Sequence, residues 1–176
     1  NTILRGLLNL KNDVSRIECY DISNIQGKQA TGSMVVFTNG EPDKSQYRKF
    51  RIKSFTGQSD VGALAEVITR RLRHAADWSL PGLFLIDGGK AQINRVQAIL
   101  TDQQINISVL GIIKGPERKR NDIIFGNLTS EHKLRTDFIR WVADNKNLLI
   151  RVRDEAHRFA ISYQRKTREL KRGIIG

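Results

Sequence analysis

Apolar runs and stripes divide the chain into strands and helices. Ile3, Leu4, Leu7 and Leu8 form a stripe compatible with a short helix over residues 1–12, read as a helix or the remnant of a linker. Arg16-Ile17-Glu18-Cys19-Tyr20-Asp21-Ile22-Ser23 reads as a strand with an acidic residue near its end, followed by a turn over residues 24–28. Ala30 to Phe37 reads as a second strand, and Asn39-Gly40 after it is a strong hairpin signal. Tyr47 to Phe55 is the returning strand, in which Tyr47, Lys49, Arg51 and Lys53 alternate with Arg48, Phe50 and Ile52. Three antiparallel strands are therefore expected to open the fold.

A helix follows over about Asp60 to Ala76, with Val61, Leu64, Val67, Ile68 and Leu72 at three- and four-residue spacing and Asp60 as its candidate N-cap. Leu83-Phe84-Leu85-Ile86 reads as a strand buried on both faces, and Gly88-Gly89 as a tight turn into a helix over Gln92 to Leu100. Ile105 to Ile113 is another apolar strand, followed by a charged loop at residues 117–121. Two short pieces, Asp122 to Phe125 and Lys133 to Arg135, read as a hairpin excursion. The last helix spans Lys146 to Arg165, with Leu149, Val152, Ala156, Phe159, Ala160 and Tyr163 on one face. The basic stretch 166–176 is expected to fray or to act as a linker.

This order predicts an α/β domain over residues 13–165: a mixed five-stranded sheet flanked by helices, with ribonuclease-H-like topology. Right-handed crossovers place the fourth strand beside the first. Asp21 and Asp87 then end side by side at one edge of the sheet. The carboxyl end of a strand is where open α/β sheets bind ligands, yet Asp is equally a preferred N-cap, and spacing alone leaves both readings of Asp87 open. Two adjacent carboxylates repel unless a divalent cation lies between them, and oxygen ligands of this kind suit Mg²⁺ or Mn²⁺. His157 borders the apolar face of the last helix, which in this topology crosses the end of the first strand. A lone His there is commonly packed or solvated, and Asp154 and Glu155 compete for the same third place; Asp154 is also spaced to pair with Arg158.

Charge adds a substrate class. Lys and Arg number 30 against 18 for Asp and Glu, a net charge of +12. A folded domain this basic points to nucleic acid first and an anionic membrane second. Lys90, Arg48, Arg71 and Arg158 are the candidate phosphate contacts, with backbone contact expected in place of base readout. The Gly-Gly-Lys fragment lacks the spacing of a phosphate-cradling loop of nucleotide hydrolases. Cys19 is the one cysteine, so no disulfide, zinc knuckle or redox pair can form, in keeping with a cytoplasmic location. No run of ~18 apolar residues occurs. The chain starts without Met, and a piece of a longer protein is expected.

Four stretches carry a resemblance: Arg16-Ile-Glu-Cys-Tyr-Asp-Ile-Ser23, Lys44-Ser-Gln-Tyr-Arg-Lys-Phe50, Leu85-Ile-Asp-Gly-Gly-Lys-Ala-Gln92 and Arg153-Asp-Glu-Ala-His-Arg-Phe-Ala160. In their order they resemble the C-terminal endonuclease region of the UvrC family, a component of the bacterial UvrABC excinuclease. The resemblance implies a ribonuclease-H-like nuclease making the 5′ incision in nucleotide excision repair. It places the family's catalytic Asp, Asp, His set on Asp21, Asp87 and His157, which are also the expected ligands of the metal, His157 completing the site or managing a proton, and it places a further aspartate near Asp60. It also implies damaged double-stranded DNA and the excinuclease component UvrB as partners, the latter through regions outside this chain, with no membrane and no small-molecule cofactor. Residues 114–147 match none of these motifs. The rival readings are a non-catalytic nucleic-acid-binding module on the same scaffold and a phosphoribosyltransferase-like enzyme, whose Thr-Gly-Gly loop is missing.

Overall fold

The computed structural model of the chain describes residues 15–23, 30–53, 60–114 and 121–175, with side chains through Ser162. Its elements are β1 Arg16–Ser23, β2 Thr31–Thr38, β3 Glu41–Pro42, a 3-10 turn Lys44–Gln46, β4 Arg48–Arg51, α1 Asp60–Leu72, β5 Leu83–Asp87, α2 Lys90–Asp102, β6 Ser108–Lys114, β7 Asn121–Phe125, α3 His132–Asp144 and α4 Lys146–Ile175. The expected N-terminal stripe at 1–12, the turn at 24–28 and the charged loop through residue 120 lie outside the described residues.

The strands form one mixed sheet in the order β3-β2-β1-β5-β6-β7, with β4 also paired to β2. β1 and β2 are antiparallel, β1, β5 and β6 run parallel, and β7 returns antiparallel to β6. The ribonuclease-H-like order therefore holds, and the fourth predicted strand does lie beside the first. The sheet has seven strands where five are expected, for two local reasons. The hairpin turn forms as predicted, with Asn39 and Gly40 at φ 51° and 80°. The strand that returns from it is interrupted, since Pro42 has no N–H to continue a ladder and Asp43 accepts hydrogen bonds from Ser45 and Thr38 hydroxyls at 2.8 and 3.3 Å. β3 and β4 thus pair with opposite ends of β2. The second reason is β7, which adds beyond β6.

The predicted hairpin at 122–135 is half correct. Asn121–Phe125 is a strand, but Lys133 to Arg135 belong to α3, whose Phe138 and Val142, four apart, bury themselves against the sheet. Helix spacing there outweighs the short strand-like piece. α4 runs to Ile175, past its expected end at Arg165.

Each sheet face carries its own core. On one side Ile17, Cys19, Val35, Phe37, Leu83, Leu85, Leu110 and Ile112 meet Phe138 and Val142 of α3 and Leu149, Val152 and Ala156 of α4. On the other, Tyr20, Met34, Phe84, Ile86 and Val109 meet α1 and α2 through Leu64, Val67, Ile68, Ile93 and Val96. Each fully buried aliphatic side chain contributes roughly 1.5–3 kcal/mol, so both faces hold helices firmly. The four apolar residues of β5 are buried on both faces, as their continuous run predicts.

Candidate functional site

Strand register assembles the site. The last β1–β5 pair is Tyr20 with Ile86, so Asp21 and Asp87 follow as the next residues on parallel neighbours. Asp21 pairs with Ser33 of β2, Ser33 with Lys49 of β4, and Asp87 with Ile112 of β6. Lys49, Ser33, Asp21 and Asp87 therefore form a polar line across the sheet. Two residues earlier, the line on the same face is Val35, Cys19, Leu85 and Leu110, all buried. The core on the α4 side ends where the carboxylates begin.

Asp87 is the terminal residue of β5, and Gly89 is the N-cap of α2. The cap reading of Asp87 is thus set aside. The Gln92 side chain accepts the Gly89 N–H at 3.1 Å and closes the turn. Gly111, beside this turn on β6, has no room for a side chain: a Cβ would lie 2.7 Å from the Gly88 carbonyl oxygen and 2.4 Å from Ile93 Cδ1. That close approach sets how far the turn carrying Asp87 can drop toward β6.

Both carboxyls are held above the usual carboxylate range. Burial, then the charge of Asp87, raises Asp21 to about 6, opposed by His157 and Lys49. Asp87 is exposed by area but crowded at the strand end, and that partial desolvation raises it, with Arg153, His157 and Lys114 opposing and Asp154 adding to the rise. The Cys19 thiol beneath the pair is pushed up by burial and by both aspartates, so it stays protonated, a free buried thiol as expected.

α4 closes the site from above. The Ala156 methyl is buried against the sheet, and the next residue, His157, reaches the strand end with Nδ1 3.5 Å from Asp21 Oδ2. Its side chain is 63% exposed, against 13% for Asp21. The two rivals on this helix are engaged by other partners. Glu155 accepts from the Tyr47 hydroxyl at 3.2 Å and from Arg158 Nε at 2.9 Å, while Asp154 takes Arg153 Nε at 3.0 Å. Arg158 thus pairs with Glu155, and the expected pairing with Asp154 does not form.

The remaining candidates spread out. Arg71 is buried, not a surface phosphate contact: its Nε and a terminal nitrogen donate to the two Glu18 carboxylate oxygens at 2.8 and 2.9 Å. This corrects its assignment, since an amphipathic helix turned Arg71 inward toward a buried acid that spacing cannot reveal. Arg48 shares its line with Met34 and Tyr20, on the sheet face opposite Asp21, and lies over the Trp78 ring at 4.9 Å. Lys90 opens α2 and donates to the Phe125 carbonyl at 3.3 Å. Asp60 is an exposed first-turn residue of α1, where the helix dipole favours an acid; residues 54–59 before it are not described.

Two cations beside the carboxylates carried no role in the sequence reading. Lys49 is half-buried, and burial lowers its pKa to about 8 against the opposing pull of Asp21. Arg153, on α4 itself, is buried and close enough to Asp87 to oppose the rise in its pKa. Their presence within the motif stretches was the only sequence signal. Among the described residues no three or more His, Cys, Asp or Glu side chains come together as a set that could hold a metal ion. What converges is an adjacent carboxylate pair with one imidazole at its margin.

The sequence matches the family described as the UvrC RNase H endonuclease domain over residues 5–161. The chain belongs to this family. Its UvrC relatives include UvrABC system protein C of Finegoldia magna, 38% identical over 164 residues covering 89% of this chain and 26% of the relative. The same protein of Prosthecochloris aestuarii is 40% identical over 167 residues, covering 94% of this chain and 26% of the relative. This UvrC domain thus spans about a quarter of the length of the curated relatives it matches. Among solved structures, endonuclease V of Ciona intestinalis in complex with DNA superposes at TM-score 0.46 and 14% identity, covering 83% of this chain and 66% of that one. The catalytic domain of human endonuclease V gives 0.42 and 20%, covering 78% and 64%. Among the described residues no helix is long and apolar enough to cross a membrane.

Proposed function

We propose that this chain is a divalent-metal-dependent endodeoxyribonuclease domain that makes the 5′ incision of nucleotide excision repair, on damaged duplex DNA handled together with the excinuclease component UvrB. The observation that carries this reading is the adjacency of Asp21 and Asp87 at the end of two parallel strands, in an endonuclease-family chain of net charge +12. The donor set fits Mg²⁺ or Mn²⁺: two carboxylates in mutual repulsion, few enough to leave places for water and substrate phosphate. Asp21 and Asp87 would hold the ion, with His157 at its margin. Bound there, such an ion supplies Lewis acidity for hydrolysis of a phosphodiester.

The chain's own residues do the rest. The buried lines beneath the carboxylates fix them on rigid strands. His157, exposed and facing Asp21 through Nδ1, is placed to carry a proton between solvent and the site. Lys90 and the basic surface steady the DNA backbone.

Cleavage of nicked and lesion-bearing duplex DNA with Mn²⁺ tests the reading, comparing the chain with Asp87→Ala while DNA binding is recorded at the same salt. Cutting by the parent with binding but no cutting by the variant is expected. Equal binding with no cutting by either, repeated with the flanking regions of the relatives restored, would make the chain a binding module and overturn the proposal.

A further inference from the structure

The contact between α4 and the carboxylate line has a feature that the Asp, Asp, His set does not account for. α4 docks on the sheet mainly through apolar contacts, Leu149, Val152, Ala156 and Ala160 being buried. Beside the site, polar contacts take over. Lys49 Nζ donates to Ser33 Oγ and to the Phe159 carbonyl, both at 3.1 Å, and sits 3.8 Å from the centre of the Phe159 ring. The Tyr47 ring meets the same Phe159 ring edge-on at 5.0 Å, while the Tyr47 hydroxyl donates to Glu155. Residues two apart along an extended segment project to one side, so Tyr47 and Lys49 together grip one turn of α4. His157 lies within that turn, between Glu155 and Phe159.

The grip also lies in register with the acids. Lys49, Ser33 and Asp21 are consecutive partners across β4, β2 and β1. An ammonium is a compact charge whose separate N–H groups can serve a hydroxyl and a carbonyl at once, whereas a guanidinium presents a flat, rigid fork. The contacts of Lys49 and Tyr47 with Phe159 and Glu155 join this segment to the helix at the height of the site, and the contact with Ser33 fixes Lys49 to the sheet. A displacement of about 1 Å at a reacting centre is enough to lose on the order of 100-fold in rate.

We propose that Lys49 is a positioning residue of the nuclease site: by tying Ser33 of β2 to the Phe159 carbonyl of α4, it holds His157 against Asp21. The proposal rests on the nuclease reading above for its kinetic consequence, but not for its structural one. Lys49 acts through His157 and not through the DNA.

The test uses Lys49→Met, which keeps the alkyl stem, and Lys49→Arg, which keeps the charge but not the compact head. Three readouts are taken at one salt concentration: single-turnover cleavage with Mn²⁺, the Kd for the same DNA, and the imidazole ¹⁵N signals of His74, His132 and His157. For Lys49→Met the cleavage rate is expected to fall at least tenfold with Kd changed less than threefold. The His157 signal moves while those of His74 and His132 stay. Lys49→Arg is expected to regain only part of the rate, and it carries the test alone if the Met variant fails to fold. Parental cleavage, a loss of affinity in step with rate, or an unmoved His157 signal would each overturn the proposal. A parent chain that does not cut removes the nuclease reading instead, and the His157 signal then decides the tie by itself.

Discussion

His157 Nδ1 lies 3.5 Å from Asp21 Oδ2, joining the last helix to the end of the first strand. The contact follows from a helix that docks through Val152 and Ala156, because the residue after a buried alanine emerges at the rim of the interface. His157 is mostly exposed, so its replacement touches little packing.

His157→Asn is therefore expected to lose cleavage by on the order of 10²-fold or more, the usual worth of a positioned proton-transfer group. Its stability should stay within about 0.5 kcal/mol of the parent, as for a surface substitution. Urea unfolding beside single-turnover cleavage separates the two. An equal loss of both would make His157 a packing residue.

Asp21 carries a stability burden with a definite sign. Its folded pKa of about 6 exceeds the ordinary 3.8, so the folded chain binds the proton more tightly than the unfolded one. That contribution favours folding below about pH 4 and is lost as pH rises through about 6. Asp21→Asn removes the charge, and at pH 8 it should raise stability by roughly 1–3 kcal/mol, or several degrees in Tm for a chain of this size, while abolishing cleavage. At pH 4 the gain should vanish. Thermal unfolding without divalent ions at both pH values checks this; an equal effect at both would refute the charge origin.

Arg71 supports the fold in place of DNA. Its pairing with Glu18 is fully desolvated, and Tyr20 OH also donates to that carboxylate. Arg71→Met leaves the buried Glu18 to Arg16 and the Tyr20 hydroxyl alone and is expected to destabilise by roughly 1.5–3 kcal/mol, the worth of hydrogen bonds to a charged group. DNA affinity per folded molecule should not change. Adding Glu18→Gln should recover part of the loss. A variant of parental stability with weakened DNA binding would return Arg71 to the phosphate contacts.

Gly111 sets the placement of Asp87. A methyl group there meets the Gly88 carbonyl and the fully buried Ile93, neither of which can swing away. Gly111→Ala should destabilise by about 1–3 kcal/mol and reduce cleavage further than its unfolded fraction explains. The comparison is made well below the variant's unfolding midpoint. Parental activity there would mean that the turn tolerates the shift.

Much of this protein is present in its sequence as local pattern. The continuous run Leu83 to Ile86 declares a strand covered on both faces, Asn39-Gly40 declares a hairpin, and the stripe at 149, 152 and 156 declares the docking face of α4. These signals depend on burial period and turn conformation, which neighbouring residues settle among themselves. Element order then restricts the topology enough to bring Asp21 beside Asp87 before any coordinates are known.

Tertiary structure alone decided what depends on register and on partners distant in sequence. The break at Pro42 and the added β7 changed the strand count. The line from Lys49 through Ser33 to Asp21 exists only because β2 pairs β1 and β4 at particular offsets, and a two-residue slip would replace Lys49 with Tyr47 or Arg51. Arg71 read as a surface cation because charge says nothing of which helix face will be buried. Its placement was settled by the buried Glu18 carboxylate from another segment, a contact whose energy arises only once the chain has folded.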